Sequence, residues 1–458
     1  MKKILLPLLL LCSLFANAQD FWNPVSLFPD QGFYPLHISA VNAQVIWING
    51  HNYQQTANTS QKFFRSTDGG STWTEGMINL GSENLYINSI CAVSESTAYV
   101  SANSNATAVG GGLWVTRDSG NTWNRLSPVF GMNTFVTFNE FQGDNFVNFW
   151  DAQNGVVISN PENDHFIVYT TADSGNNWLR VSDVDLPTAL PEEKGHMIKC
   201  GVNENSVWFG TSKGRIFKSN DKGIHWTVSQ MPPIAPLNVQ NELSDVAFKN
   251  DTDGILVTNL WMPYSTTDNG NNWHISYWNY GSMQPQVVYV PETTDTYFSY
   301  GEESEVNERA SSYTTNNGQS WKQLNNTEVN PVAVQSCSFL NNTTGFCVGY
   351  YHLTNPEGGL HFYKLGDGAF NRLLNTDNDI LENKLSAVPN PATDIVKIYG
   401  KNIKSVTVFD VSGKKVLTEN HSISDCVSLD IGKLQNGIYL AEITNDVEMN
   451  STVKIVKK

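Results

Sequence analysis

The stretch Ser66-Thr67-Asp68-Gly69-Gly70-Ser71-Thr72-Trp73 decides the reading of this chain, because the chain repeats it. The pattern Ser/Thr-x-Asp-x-Gly-x-x-Trp returns at Thr116–Trp123, Thr171–Trp178, Ser219–Trp226, Thr266–Trp273 and Thr314–Trp321, with Asn316 in place of Asp in the last copy. The tryptophans Trp73, Trp123, Trp178, Trp226, Trp273 and Trp321 are 50, 55, 48, 47 and 48 residues apart. Each position has a physical task. The carboxylates of Asp68, Asp118, Asp173, Asp221 and Asp268 accept backbone N–H groups of their own turns. Glycine takes the positive φ that other residues resist. The Ser/Thr hydroxyl satisfies the remaining carboxylate oxygen, and tryptophan closes a hairpin by burying a large face.

A strand-like apolar run precedes every copy: Ile46-Trp47-Ile48, Ala98-Tyr99-Val100, Val156-Val157-Ile158, Val207-Trp208-Phe209, Ile255-Leu256-Val257 and Tyr297-Phe298. Phe346-Cys347-Val348 makes a seventh, followed by a decayed turn, Asp367-Gly368-Ala369-Phe370, 49 residues after Trp321. Four strands in a repeat of this length make a propeller blade, so the expected fold is an all-β, seven-bladed β-propeller over residues 19–375. Two closures of the ring remain open. Either the segment Phe21 to Ser26, with Trp22 51 residues before Trp73, completes the last blade, or Phe370 begins that strand.

The repeated turn is identified as the Asp-box, or BNR, repeat, whose family builds β-propellers. The resemblance implies that the boxes lie on the outer hairpin of each blade, away from the ligand face, so their acids are structural rather than catalytic. It also connects the chain to sialidases, to some endoglucanases and to photosystem assembly factors that bind proteins without chemistry.

Outward from the repeats, composition agrees. The 458 residues include 13 Trp and 34 Gly, with 40% hydrophobic and 16% charged side chains, as in a folded β-rich protein. Of the net charge of -16, residues 19–379 carry 16 basic and 35 acidic side chains, a balance that excludes nucleic-acid binding by phosphate neutralisation. Residues 1–18 have a Lys2-Lys3 start, an apolar stretch Ile4 to Phe15 and an Ala16-Asn17-Ala18 end, which is the form of a cleaved signal peptide. No later segment is apolar enough over a long enough run to span a membrane. Five cysteines remain in the mature chain, an odd number; Cys337 and Cys347 flank a turn on adjacent strands and are the one expected disulfide pair, with buried free thiols as the alternative.

After residues 376–385, a polar linker, residues 386–458 restart as a small β-sandwich. Pro389-Asn390-Pro391, the hairpin Phe409-Asp410-Val411-Ser412-Gly413-Lys414, the strand Asn436-Gly437-Ile438-Tyr439-Leu440 and the basic tail resemble the type A sorting domain of the type IX secretion system. That resemblance implies passage through the periplasm and across the outer membrane, with the type IX machinery as partner, to the medium or the cell surface.

Catalysis has little support in the residues. A sialidase-like site needs three arginines converging on a carboxylate. Of Arg65, Arg117, Arg125, Arg180, Arg215, Arg309 and Arg372, five adjoin, lie in or follow box turns, which leaves two. A glycoside hydrolase needs only two carboxylates, and with 35 acids that criterion has no power; Asp151 and Asp245 lie near inner strands but read as turn or channel residues. The expected function is therefore non-catalytic binding of a glycan or protein ligand, with an extracellular glycoside hydrolase as the alternative. If strands alternate within blades, the face opposite the boxes carries His51, Tyr53, Trp261, Tyr264, Glu302, Glu303, Tyr351 and His352, exposed aromatics and acids suited to stacking on sugars or docking a peptide. The bland alternative is that these aromatics, Trp261 above all, seal gaps between blades. No cofactor is expected. Asp251-Thr252-Asp253-Gly254 is a fragment of a Ca²⁺ loop, but Lys249 stands where its first Asp belongs, so no metal site is defined.

Overall fold

The computed structural model describes residues 21–52, 61–104, 111–126, 145–162, 164–232, 243–276, 284–301, 311–324, 333–350, 359–366, 369–370, 386–411, 413–445 and 450–458. The signal peptide and linker expected from the sequence lie outside these residues. Two compact units divide at Phe370/Asn371.

The first unit is a seven-bladed β-propeller of four-stranded antiparallel sheets. The innermost strands of blades 1 to 7 are Phe33–Ala40, Leu85–Ala92, Asn145–Phe149, Gly201–Asn203, Leu243–Phe248, Gln286–Tyr289 and Ala333–Phe339. All seven apolar runs fall in the second strands, which are covered on both faces by adjacent blades; Ile46, Trp47, Ile48, Val156, Val157 and Ile158 have no exposure at all. The core therefore lies between blades. Ile46, Ile48 and Phe64 of blade 1 share a cluster with Phe346, Val348 and Phe362 of blade 7. Val156, Phe166 and Val168 of blade 3 do the same with Val207, Phe209 and Phe217 of blade 4.

The ring closes through the N-terminal strand. Trp22–Leu27 pairs antiparallel with Leu360–Leu365 and is the outermost strand of blade 7. Trp22 is fully buried there. Phe370 does not start a strand but packs edge-on against Phe21, with ring centroids 5.4 Å apart.

The six box turns join third and fourth strands and share one hydrogen-bond pattern. In the first, the Ser66 hydroxyl donates to Asp68 Oδ1 (2.8 Å) and accepts from the Gly70 N–H (2.7 Å), while Oδ1 also accepts the Thr72 N–H (2.9 Å). The second carboxylate oxygen is held by the residue before the tryptophan: Thr72, Thr122, Asn177, His225 or Asn272, at 2.6–2.7 Å. The sequence reading had given that oxygen to the Ser/Thr hydroxyl. Asn316 keeps the scheme by accepting the Ser320 N–H (3.0 Å) and donating to its hydroxyl (2.9 Å). These contacts hold the exposed acids low, Asp68 down to about 2, chiefly through the Thr72 hydroxyl. The turns also dock backwards: a Cβ on Gly70 (φ +86°) would lie 2.2 Å from the Phe362 ring of blade 7, so glycine serves close approach as well as φ. Trp178, Trp226 and Trp321 are buried.

One expectation is corrected. Cys337 and Cys347 are directly opposite on paired strands, yet both are free thiols. The Cys337 thiol is engaged by the Tyr300 hydroxyl instead, and Cys347 is fully buried.

In the second unit the strands Ile395–Asp410 and Lys415–Asp430 form a long hairpin. Register shifts between Tyr399 and Ile403 split the first of these strands. Its first half pairs with Ser386–Val388 and its second with Gly437–Asn445, which pairs in turn with Asn450–Lys457. Val396 and Ile398 from one half share a single buried cluster with Val406, Val408, Ala441 and Ile455.

Candidate ligand site

The innermost strands carry an irregularity that the boxes do not. Those of blades 1, 2, 5 and 7 contain a β-bulge at one equivalent place, four paired residues before the inner turn: Leu36, Asn88, Ser244 and Gln335 are the extra residues. A bulge re-aims its own side chain and twists the strand. In blades 2, 5 and 7 the residue that follows it reaches the next blade. Ser89 Oγ accepts the Val147 N–H (2.9 Å), Asp245 Oδ2 accepts the Val287 N–H (3.0 Å), and Ser336 Oγ donates to the Leu36 carbonyl (3.3 Å). The bulges thus hold neighbouring blades in register around the axis.

Between these strands lies a cavity of about 450 Å³, walled by the innermost strands of blades 1, 4, 5, 6 and 7. Gln335 is 5% exposed, and neither its amide nitrogen nor its oxygen has a partner among the described residues; Gln286 Oε1 is likewise unpaired. An unpaired buried amide costs free energy, about 1–3 kcal/mol per group, and this one borders an open cavity. Asp245 is the one carboxylate among the described lining residues. It touches the cavity with partial exposure yet sits deep in the ring, and that burial pushes its pKa up to about 6 against the pull of Lys199 and the N–H groups of Val287 and Val246. Both its oxygens are occupied, Oδ1 by the Val246 N–H at 2.8 Å.

Lys199, also on the wall, donates to the bulge carbonyl of Ser244 (2.8 Å). It ends the connection between blades 3 and 4, which buries Glu193 under Arg215; Arg215 Nε donates to Glu193 at 2.9 Å and the Thr211 hydroxyl does so at 2.6 Å. The described arginines fall elsewhere; Arg309 and Arg372 lie outside the described residues. Arg65 pairs with Glu95, Arg117 donates to the Ser174 carbonyl, Arg125 to that of Gly111, and Arg180 faces Asp183. No arginine is among the described lining residues. Asp151 caps its own inner turn through the N–H groups of Gln153 and Asn154 and pairs with Lys222. At the Ca²⁺-like fragment, the Lys218 ammonium takes the carbonyls of Asn250 (3.1 Å) and Asp251 (2.6 Å), and Lys249 pairs with Asp253 (2.9 Å), so ammonium groups stand where a cation would. Among the described residues no His/Cys/Asp/Glu cluster has metal-binding geometry.

Of the face residues expected from the sequence, the three described ones, His51, Trp261 and Tyr264, are not brought together. His51 stacks on Tyr34, which lines the cavity (centroids 5.0 Å apart, 27° between planes), and burial lowers its pKa. Tyr264 is corrected to a core residue: it is 7% exposed and packs with Trp208, Leu243 and Phe248. Trp261, at φ +59°, packs against the Ala247, Ile255 and Trp321 cluster, the gap-sealing role. Tyr53, Glu302, Glu303, Tyr351 and His352 lie outside the described residues. The sequence reading missed Gln335 and the bulges, although Asn88-Ser89, Ser244-Asp245 and Gln335-Ser336 are adjacent polar pairs inside apolar strands, which is the mark of a phase slip.

Comparison with known proteins fits this architecture. Residues 386–458 match the family model described as a secretion system C-terminal sorting domain. No curated protein matches the chain. Among solved structures, YCF48 bound to D1 peptide is similar over 75% of this chain and 97% of that one, at 15% identity and a TM-score of 0.50. YCF48 from Cyanidioschyzon merolae covers 75% and 98% at 13% and 0.50. A GH74 xyloglucanase from Xanthomonas campestris covers 95% and 74% at 11% and 0.48. At such identities the likeness is one of fold. No helix among the described residues is long and apolar enough to cross a membrane. The chain is a β-propeller protein whose C-terminal domain is a type IX sorting domain, which implies delivery across the outer membrane to the medium or the cell surface.

Proposed function

We propose that the propeller is an exported, non-catalytic recognition module for a glycan or protein ligand, which enters from the face opposite the boxes. The observation that carries this reading is the axial cavity, where unpaired amides stand beside a single carboxylate pinned by two backbone N–H groups. The described lining residues offer hydrogen bonds to a ligand and supply one carboxylate, where glycoside hydrolysis uses two. Tyr34 stacked on His51 supplies an aromatic surface on the same wall. That YCF48 has been solved bound to a peptide is a precedent for ligand binding by this fold, by analogy alone.

The test is a glycan array probed with the purified mature protein, followed by a reducing-end assay on any polysaccharide it binds. Saturable binding without release of reducing ends is the expected outcome. Release of sugar that persists at high purity would overturn the non-catalytic reading in favour of a glycoside hydrolase.

A further inference from the structure

We propose that the axial cavity is a carbohydrate site that takes the neutral end of a glycan chain, with the Gln335 amide as its principal hydrogen-bonding group. The inference rests on the recognition reading above and names its ligand class and place. Size is the first argument. A cavity of about 450 Å³ falls within the range of about 300–1,000 Å³ typical of small-ligand sites. It can enclose a terminal sugar whole, whereas a folded protein partner could insert no more than a chain end or a side chain.

Charge is the second argument. The described wall has one ammonium, Lys199, and one carboxylate, Asp245, and no guanidinium. Nothing there grips an anionic sugar bidentately, and each Asp245 oxygen already accepts a backbone N–H. The wall suits a ligand without net charge.

Hydrogen-bond chemistry is the third. Gln335 presents an unpaired donor and an unpaired acceptor side by side on one plane, and Gln286 adds an unpaired acceptor. Vicinal sugar hydroxyls, each both donor and acceptor, complement such a pair. The aromatic lining residues Tyr34 and Tyr300 provide the apolar surface that the C–H faces of a sugar ring pack against. The bulge that places Gln335 also fixes it, since Ser336 next to it is tied to the Leu36 carbonyl across the ring closure.

The experiment is calorimetric titration of the full mature protein with cello-, xylo-, manno-, malto- and chito-oligosaccharides, on the wild type, Gln335→Leu and Gln286→Leu. Near-UV circular dichroism and thermal melting check that each variant is folded. One series is expected to bind. Gln335→Leu should weaken it at least about tenfold, and Gln286→Leu a few-fold, with no loss of melting temperature in either. If Gln335→Leu does not fold, Gln335→Asn keeps the amide but withdraws it, and should weaken binding similarly. Undiminished affinity in folded variants would place the sugar elsewhere and overturn the cavity site, while leaving the recognition reading intact. Binding by no series would also overturn the inference. Gln335-dependent binding accompanied by cleavage would support the site and instead remove the non-catalytic reading.

Discussion

The box turns and the axial bulges sit at opposite edges of the blades and obey opposite rules. At the six boxes the same few side chains recur, and each carboxylate or amide oxygen of the motif finds its partner inside the turn. At the axis the bulge position is filled by Leu36, Asn88, Ser244 and Gln335, one apolar and three polar side chains of differing length, and the last has no partner at all among the described residues. Repetition marks what every blade needs to dock on its neighbour. Departure from it, at a place where the backbone geometry is retained, marks where single blades differ from the rest.

The comparison breaks first at glycine. Gly70→Ala is expected to cost about 3 kcal/mol or more, because a Cβ in a left-handed backbone meets the buried Phe362 ring; urea unfolding would show it. Asp245 gives the next effect. Its pKa is raised from 3.8 to about 6, so the folded state holds the proton more tightly. The resulting stability is fully present below pH 3.8 and lost as pH rises through 6, about 2 kcal/mol after allowance for partial exposure. Asp245→Asn should remove that slope from urea midpoints measured between pH 4 and 8. A slope unchanged by the substitution would mean that the carboxylate does not titrate as its burial demands.

Smaller effects sharpen the contrast. Asp68→Ala should cost about 1 kcal/mol, since the Thr72 N–H and hydroxyl lose their acceptor, whereas Asp68→Asn should be nearly neutral, as Asn316 shows. Chemical denaturation of both variants tests this directly. Gln335→Leu should be neutral or stabilising by about 0.5 kcal/mol, because it deletes a buried amide that the chain itself leaves unpaired. A clear loss of stability would show that the amide has a structural partner, and the axis would then follow the rule of the boxes.

How much of this was legible follows from the same contrast. Trp73 to Trp321 announce the blades because a tryptophan at a fixed interval survives any reading of the strands between. The closing strand was half legible: Trp22 stands at the right interval, but only pairing with Leu365 distinguishes it from Phe370. The candidate site was not legible. A bulge adds one residue without a signature of its own, so Gln335 read as one more polar position in a strand. Tyr264 and Trp261 were placed near the right turn, but strand-end residues face opposite sides of a blade, and sequence spacing does not say which side is solvent. One packs into the cluster with Trp208 and the other into the cluster with Trp321.

The pairing of Trp22–Leu27 with Leu360–Leu365 makes the ring a test of its own completeness. Trp22–Leu27 has no sheet to join until Leu360–Leu365 is made, more than three hundred residues later. A chain cut anywhere before Leu360 keeps an unpaired edge on its final blade and a loose strand at its start, and such edges invite aggregation or proteolysis. The sorting domain follows Leu360–Leu365 in the chain, so a chain made far enough to carry the export tag has also made the strand that Trp22–Leu27 pairs with.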